Sequence, residues 1–387
     1  MLNIIGGTYF ESCIDPSYNE LFGSGLRGAI ALSGFNVAIN FYTLVGQDAE
    51  KLLEEACLAY KINLRRYLSQ ETFTFYYYHP LSRSYYFPET IALKKIALGS
   101  LENVLMYGLL EGDFEFKAKS VVYDPQNGRS FSSTGAVADK LAYVLNRNEA
   151  VKISKLPDDS TIDKIIEELV RIEGANIVIV KDSVFGAYVW DGKEITPINF
   201  YRSDRIWPIG SGDVFASVFA YNWLIKRLMP KEAAINASLQ TSNYCNSKLL
   251  PLVENLEKFP ISIPGKKRIY LAGPFFSISD RWVINEALQA LQDFRQDVFS
   301  PFHSLGVSND FEIAKKDLQE ISSCDVVLAI LNVLDSGTLF EIGYARAQNK
   351  EVVIFSETIS ERDLFMLVGS ECKLIDDFAT AIYIAAT

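Results

Sequence analysis

"DSGTLFEIGYARAQNK", residues 335–350, follows the apolar run "DVVLAILNV" (325–333) and precedes "EVVIF" (351–355). Apolar run, glycine turn, amphipathic stretch and second apolar run form the pattern of a βαβ unit in a parallel sheet. The same alternation extends towards the N-terminus. "RIYLAG" (268–273) reads as a strand, "DRWVINEALQALQDF" (280–294) as a helix, "DVFSP" (297–301) as a strand and "NDFEIAKKDLQEISSC" (309–324) as a helix. Within the opening stretch Glu341 has two readings. Thr338 and Glu341 stand three apart before an apolar helical run, which is capping-box spacing. A carboxylate in the first turn of a helix is also kept ionised by the helix dipole, and one held at a strand-turn-helix tip can attack a carbon.

The chain of 387 residues exceeds what one core usually supports, so two domains are expected. Composition shifts at "ENLEKFPISIPGKKR" (254–268), which has two prolines, a glycine, a basic cluster and no apolar periodicity. It is read as the boundary: a first domain over 1–255, a linker over 256–266 and a second domain over 267–387. A net charge of −11 argues against a duplex nucleic-acid binder, whose surface must neutralise phosphates. No apolar run approaches membrane-spanning length, and the N-terminus lacks the basic and apolar regions of a signal peptide. Five scattered cysteines and two histidines make a zinc site unexpected, and free thiols fit a cytoplasmic protein.

The first domain also alternates. "LNIIGG" (2–7) is a strand, "FGSGLRGAIALSGF" (22–35) a glycine-rich entry to a helix, and "VAINFYTLVG" (37–46) a strand. The aromatic run over residues 72–90 reads as a β-rich excursion, a candidate lid. "SVVYDPQNG" (120–128) is a strand ending in a turn, and "GAVADKLAYVLNRNEAVKI" (135–153) reads as a helix followed by a strand end. "TIDKIIEELVRIEG" (161–174) is an amphipathic helix, "ANIVIVKD" (175–182) a buried strand, and "GAYVWDGKEITPI" (186–198) a hairpin turning at Asp191-Gly192.

Ligands of open parallel sheets bind at the carboxyl ends of the strands. Asp335 follows one such end, "YLAGPFF" (270–276) another, and Asp317 lies on the helix leading to Asp325. Together with Glu-Ile-Gly-Tyr-Ala (341–345), "IYLAGPFF" and "DLQEISSCDVVLAI" (317–330), these residues resemble the nucleoside 2-deoxyribosyltransferase family and the related nucleoside 5'-phosphate N-glycosidases, over about residues 267–357. The resemblance implies that Glu341 attacks the anomeric carbon, forms a glycosyl ester and displaces the base. Asp317 and Asp335 match acidic positions that orient or protonate the base, and Tyr270 matches a tyrosine that positions the nucleophile. Gly273 would let the backbone approach the sugar, and Phe275 and Gly337 fall on nucleoside-binding positions. Ser277, Ser279 and Arg281 either hold a 5'-phosphate or cap the helix. No cofactor is implied for this domain.

In the first domain, "IGSGDVFASVF" (209–219) places Gly210, Ser211 and Gly212 at a helix start with Asp213 beside them. This is an anion hole next to a carboxylate base, suited to phosphoryl transfer. The order glycine-rich turn, "DPQ" (124–126), "NRNE" (146–149), "GSGD" (210–213) resembles the ribokinase-like family of sugar and nucleoside kinases over about residues 1–250. By that resemblance Asp213 is the base, and Asn146 and Glu149 organise Mg²⁺ and the phosphates of ATP through water. The acceptor side departs from the pattern: Glu11 stands where the family has Asp, and Arg27 where it has Asn. An arginine there suits a phosphate or carboxylate. The expected architecture is a ribokinase-like three-layer α/β/α domain followed by a smaller flavodoxin-like or Rossmann-like parallel α/β domain. The expected protein is a bifunctional cytoplasmic enzyme of nucleoside or nucleotide metabolism, a homo-oligomer by resemblance, with nucleoside, nucleotide and sugar substrates. Its alternative is an N-glycosidase governed by a catalytically silent nucleotide-sensing first domain, in a stress or phage-defence setting.

Overall fold

The structure is a computed structural model that describes residues 1–126, 128–253, 259–262, 265–306, 311–358 and 362–387. The chain divides into two compact units, Met1–Ser203 with Trp207–Ile263, and Asp204–Ile206 with Pro264–Thr387. Of the expected linker, residues 256–258 and 263–264 lie outside the described residues.

In chain order the first unit contains β1 (Leu2–Ile5), β2 (Phe10–Cys13), β3 (Tyr18–Leu21), α1 (Gly23–Ser33), β4 (Ile39–Val45), α2 (Glu50–Ala59), β5 (Asn63–Leu68), β6 (Thr74–Tyr77), β7 (Tyr85–Phe87), β8 (Lys94–Tyr107) and β9 (Gly112–Asp124). It continues with β10 (Val137–Asn146), α3 (Arg147–Ser154), α4 (Ile162–Glu173), β11 (Ile177–Lys181), β12 (Ala187–Trp190), β13 (Ile195–Ile198), β14 (Phe200–Tyr201), α5 (Ser211–Ala220), α6 (Pro230–Ser247) and β15 (Ile261–Ser262). Among the described residues the main sheet runs β13-β12-β11-β10-β9-β8-β1-β4-β5, parallel except at β12 and β13. A smaller sheet, β3-β2-β6-β7, holds the aromatic stretch over 72–90.

Two readings of this unit are corrected. "VADKLAYVLN" is the strand β10, not a helix, paired in parallel with β9 and β11. Its Leu141–Leu145 run is buried on both faces. A continuous apolar run of that length suits a central parallel strand, and periodicity cannot separate it from a buried helix. The segment read as linker also contains β15, which pairs antiparallel with β14. A two-residue strand is too short for any alternation to register.

The glycine-rich stretch earns its composition by close approach. A Cβ on Gly25 would fall 2.5 Å from the carbonyl carbon of Gly6, so α1 lies directly on the turn that ends β1. The amphipathic α4 turns Ile165, Ile166 and Leu169 onto the main core, where Val104, Tyr123, Tyr143 and Val178 also meet.

The second unit contains β16 (Arg268–Ala272), α7 (Ile278–Asp293), β17 (Asp297–Phe299), α8 (Pro301–Leu305), α9 (Phe311–Ser323), β18 (Val326–Ile330), α10 (Ser336–Ala347), β19 (Glu351–Phe355), α11 (Phe365–Gly369), β20 (Lys373–Ile375) and α12 (Phe378–Ala386). Its strands are ordered β17-β16-β18-β19-β20 and are all parallel. The switch in strand order falls between β16 and β18, where such sheets open a crevice. The core joins Tyr270, Val327, Ile342 and Ile354. The five cysteines are buried and form no disulfide among the described residues, and no helix among those residues is long and apolar enough to cross a membrane.

Each unit thus has its own sheet and core. Lys266 is exposed just before β16, so limited trypsin digestion is expected to cut there and leave two protected fragments. Digestion of both halves together, with no stable intermediate, would contradict separate cores.

Candidate active sites in the two units

In the first unit the carboxyl ends of β9, β10 and β11 bring Asp124, Asn146 and Lys181 to one cavity of about 570 Å³. Gly210, Gly212 and Asp213 at the start of α5 form another part of its wall. Glu11, Phe75 and Tyr77 of the smaller sheet close a third side. The sequence motifs therefore converge: Glu11, Arg27, Asn146, Glu149, Gly210, Gly212 and Asp213 all line this cavity. Ser211 lies between the two glycines, its backbone N–H donating to Pro208.

Arg27 is 1% exposed and is held by two carboxylates. Its Nη1 donates to Glu11 Oε1 at 3.0 Å and to Asp213 Oδ2 at 2.9 Å, and Nη2 donates to Glu11 Oε2. Its Nε has no hydrogen-bond partner and packs against Gly210. A Cβ on Gly210 would sit 2.1 Å from that atom, and the residue has φ +78°, so both space and backbone demand glycine. Burial opposes the guanidinium charge, but the carboxylates, Glu11 foremost, raise its pKa well above the ordinary value. The sequence reading gave Arg27 to an external phosphate or carboxylate. The fold instead supplies internal anions on two of its nitrogens, because β2 and α5 both converge on α1.

Asp213 is held on its other side too. Oδ1 accepts from Gln126 Nε2 at 2.9 Å, and its backbone carbonyl accepts from Tyr107 Oη at 2.8 Å. Asp124 Oδ2 pairs with Lys181 Nζ at 3.0 Å, while its Oδ1 accepts from the backbone and side chain of Gln126. Asn146 and Glu149 form a capping box on α3, each side chain accepting from the other's backbone N–H. Burial, reinforced by Asp124, pushes Glu149 up to about 8. Burial likewise raises Asp124, with Lys181 opposing the rise. No group of three or more His, Cys, Asp or Glu among the described residues is placed to ligate a metal directly. The donor chemistry fits Mg²⁺ only through water, with the Glu149 carboxylate on the cavity wall. Asp124, Gln126 and Lys181 were not assigned from sequence. A charged residue ending the apolar run "IVIV" was the available signal for Lys181.

In the second unit Tyr270 on β16 is fully buried, and its hydroxyl donates to Glu341 Oε1 at 2.6 Å. Glu341 sits in the second turn of α10. The helix is capped by Asp335, whose Oδ2 accepts from the Thr338 N–H at 2.7 Å and hydroxyl at 2.8 Å. The Thr338–Glu341 capping box is thereby corrected: the helix starts three residues earlier than that spacing requires. Glu341 is not ionised by the helix end. Burial pushes its pKa up to about 7, with Tyr270 pulling down and Asp317 and Asp335 pushing further up. Asp317, on α9, is raised to about 6, chiefly by burial, and its Oδ1 is buried without a hydrogen-bond partner.

The remaining sequence candidates lie on the segment after β16, at the start of α7 and in the first turn of α10. Ser277 caps α7 in a capping box with Asp280, which favours the helix-capping alternative for that serine, and its hydroxyl lies 2.8 Å from Ser279 Oγ. Arg281 Nε donates to the Phe275 carbonyl at 2.8 Å, and its guanidinium lies 5.6 Å from the Phe302 ring centre. Phe275 stacks on Phe302 at 5.5 Å. At Gly273 a Cβ would meet Ile284 Cδ1 at 2.6 Å and the Ile330 Cβ and carbonyl oxygen at 3.1 Å, so α7 and β18 pack closely over this glycine. Gly337 lies in the first turn of α10, where a Cβ would be 3.2 Å from Asp335 Oδ2.

No curated protein matches the chain. Among solved structures, ribokinase from Giardia lamblia is similar to it, with 16% identity and a TM-score of 0.51, over 65% of this chain and 95% of that one. The nucleoside kinase of Methanocaldococcus jannaschii, an archaeal member of the ribokinase family, matches with 14% identity and a TM-score of 0.48, over 65% and 94% of the two chains. The first of these likenesses gives the N-terminal unit the ribokinase fold. Residues 269–373 match the family model described as nucleoside 2-deoxyribosyltransferase, which places that domain on the second unit.

Proposed function

We propose that the protein is a bifunctional enzyme of nucleoside metabolism whose second unit breaks the N-glycosidic bond of a nucleoside or its 5'-phosphate. The observation that carries this is the buried Tyr270–Glu341 hydrogen bond at the switch point of the parallel sheet. Glu341 forms a bond to the anomeric carbon as the carbon–nitrogen bond to the base breaks. The leaving base takes a proton from Asp317, whose raised pKa keeps it partly protonated near neutrality. Asp335 orients the base, and Phe275 stacked on Phe302 offers it a flat apolar face. Attack on the ester by a second base completes a transfer, and attack by water completes a hydrolysis. In this reading Arg281 and Ser279 would hold a 5'-phosphate if the substrate carries one.

The first unit, in this reading, transfers a phosphoryl group from ATP to a sugar or nucleoside hydroxyl. The start of α5 forms the anion hole, Asp213 takes the hydroxyl proton, and Asn146 and Glu149 hold a hydrated Mg²⁺. Magnesium, when bound with ATP, neutralises phosphate charge. One observation favours a second reading. Arg27 already occupies Asp213 Oδ2 from within, so that oxygen is engaged by a buried guanidinium before any acceptor hydroxyl reaches it. Under that reading the first unit binds ATP without using it and governs the glycosidic activity of the second.

Three outcomes test these assignments. Glu341→Gln keeps the side-chain shape but cannot form the ester, so base release should fall on the order of 10⁴-fold. Full base release by this variant on a substrate the wild type cleaves would remove Glu341 as nucleophile. Because Glu341 must be ionised and Asp317 protonated, with values of about 7 and about 6, kcat/KM should be bell-shaped with its maximum between them and an upper limb, set by Glu341, falling above about 7. Tyr270→Phe removes a donor that favours the charged form, so this limb should move to higher pH; a limb that stays in place contradicts the pairing.

For the first unit, Asp213→Asn should abolish ATP-dependent phosphorylation by about 10² to 10⁴-fold while leaving ATP binding in place. A wild-type protein that binds ATP but phosphorylates nothing in a broad screen of sugars and nucleosides establishes the silent reading instead.

A further inference from the structure

We propose that a second cavity of the first unit, about 190 Å³ in volume and sharing no lining residue with the one around Asp213, binds a free nucleobase. The choice of a nucleobase as occupant rests on the reading that the second unit releases one; the site itself stands on its own geometry.

The cavity lies where the segment after α1, the end of α5 and α6 meet, lined among others by Phe35, Tyr221, Asn222, Asn236 and Gln240. Two buried polar atoms here lack protein partners. Tyr221 is 4% exposed and Gln240 5% exposed, and neither the Tyr221 hydroxyl nor Gln240 Oε1 has a hydrogen-bond partner among the described residues. Buried polar groups are rarely left in this state, because nothing offsets their lost hydration. The Gln240 amide is held in place from its other end, where Nε2 donates to the Val253 carbonyl at 3.0 Å. Asn222 Nδ2 donates to the Val218 carbonyl at 3.0 Å, which leaves Asn222 Oδ1 as a further acceptor.

The backbone is irregular at the same place. Tyr221–Ile225 form a π-helical turn directly after α5, with the Lys226 N–H donating to the Tyr221 carbonyl at 3.1 Å. Its sequence, "YNWLI", holds no proline or glycine to force a break. Such turns recur at functional sites, and this one carries Tyr221 and Asn222.

The lining selects the ligand. Phe35 stacks on Tyr221 at 4.8 Å and gives the cavity a flat apolar wall. The polar groups are a phenol and three carboxamides, which are neutral and between them both donate and accept. No carboxylate lines the cavity among the described residues, and Lys226 is its one cation there. A phosphate would call for more positive charge than that. A neutral planar ring bearing N–H and carbonyl or ring-nitrogen groups matches the set. The volume falls below the roughly 300 Å³ at which pockets for drug-sized ligands begin, so it suits a lone base rather than a nucleotide. The bland alternative is a cavity holding only water on the two unpartnered atoms.

Crystals of the full chain soaked with 5-bromouracil or with 8-bromoadenine locate the halogen by its anomalous scattering. A bromine peak is expected in the cavity between Tyr221 and Gln240, whether or not a second peak marks the second unit. Tyr221→Phe, which removes only the hydroxyl, should weaken binding of the probe at this cavity about 5- to 10-fold. Asn236→Trp, which fills the cavity from a half-buried position on α6, should remove the peak altogether and keeps the test open if Tyr221→Phe misfolds. Both variants should release base from nucleosides as the wild type does. Bromine in the second unit alone, water alone in the cavity, or an undiminished cavity peak in Asn236→Trp would overturn the site. A bromine peak in the cavity of a chain that cleaves no nucleoside would keep the site and overturn the reading of the second unit.

Discussion

The buried guanidinium of Arg27 is the constraint on which the first unit's site is organised. An arginine withdrawn from water must be matched by anions, because an unpaired buried charge is strongly destabilising. The two anions come from elements distant in sequence: Glu11 on the smaller sheet and Asp213 at the start of α5. Satisfying one residue therefore fixes where the smaller sheet, α1 and α5 meet, and so fixes the cavity between them. Phe22 stacks beneath the guanidinium at 4.8 Å and adds apolar contact to the same joint. The site is built on a charge balance before any ligand is considered.

That balance extends along the cavity wall. Asp213 touches Arg27 and Gln126, Gln126 touches Asp124, and Asp124 touches Lys181. Four carboxylates, those of Glu11, Asp124, Glu149 and Asp213, share two buried cations. Burial raises the pKa values of Asp124 and Glu149, and the neighbouring carboxylates add to the rise. Such a chain of paired groups couples its members, so a change at one end alters proton affinity at the other.

The second unit uses burial differently. Among the described residues its key carboxylate accepts from the neutral hydroxyl of Tyr270 and from no cationic side chain. A desolvated carboxylate with one donor stays near the middle of the pH range rather than fully ionised. Two carboxyl groups are raised to different extents, Glu341 to about 7 and Asp317 to about 6, and Asp317 acts electrostatically on Glu341. With the nucleophile's value above the acid's, the productive state, Glu341 ionised and Asp317 protonated, is a minor one at any pH.

Much of both units was legible from residue order. Short apolar runs alternating with amphipathic stretches indicated the parallel sheets, and glycine turns located the start of α5, where Asp213 stands, and the start of α10, whose second turn carries Glu341. Local pattern failed where it is degenerate. The doubly buried run in β10 has no period to distinguish it from a helix, and Thr338 was mistaken for a cap because Asp335, three residues earlier, offers the same chemistry. The sequence by itself determined which residue types lie at strand ends and helix starts, since these depend on neighbours a few positions apart. Only the tertiary structure decided that Arg27 answers Glu11 and Asp213, that Lys181 meets Asp124, and that Tyr270 reaches Glu341. Those pairings join residues 16 to 186 positions apart, and their partners are chosen by how strands and helices pack, a relation no local pattern encodes.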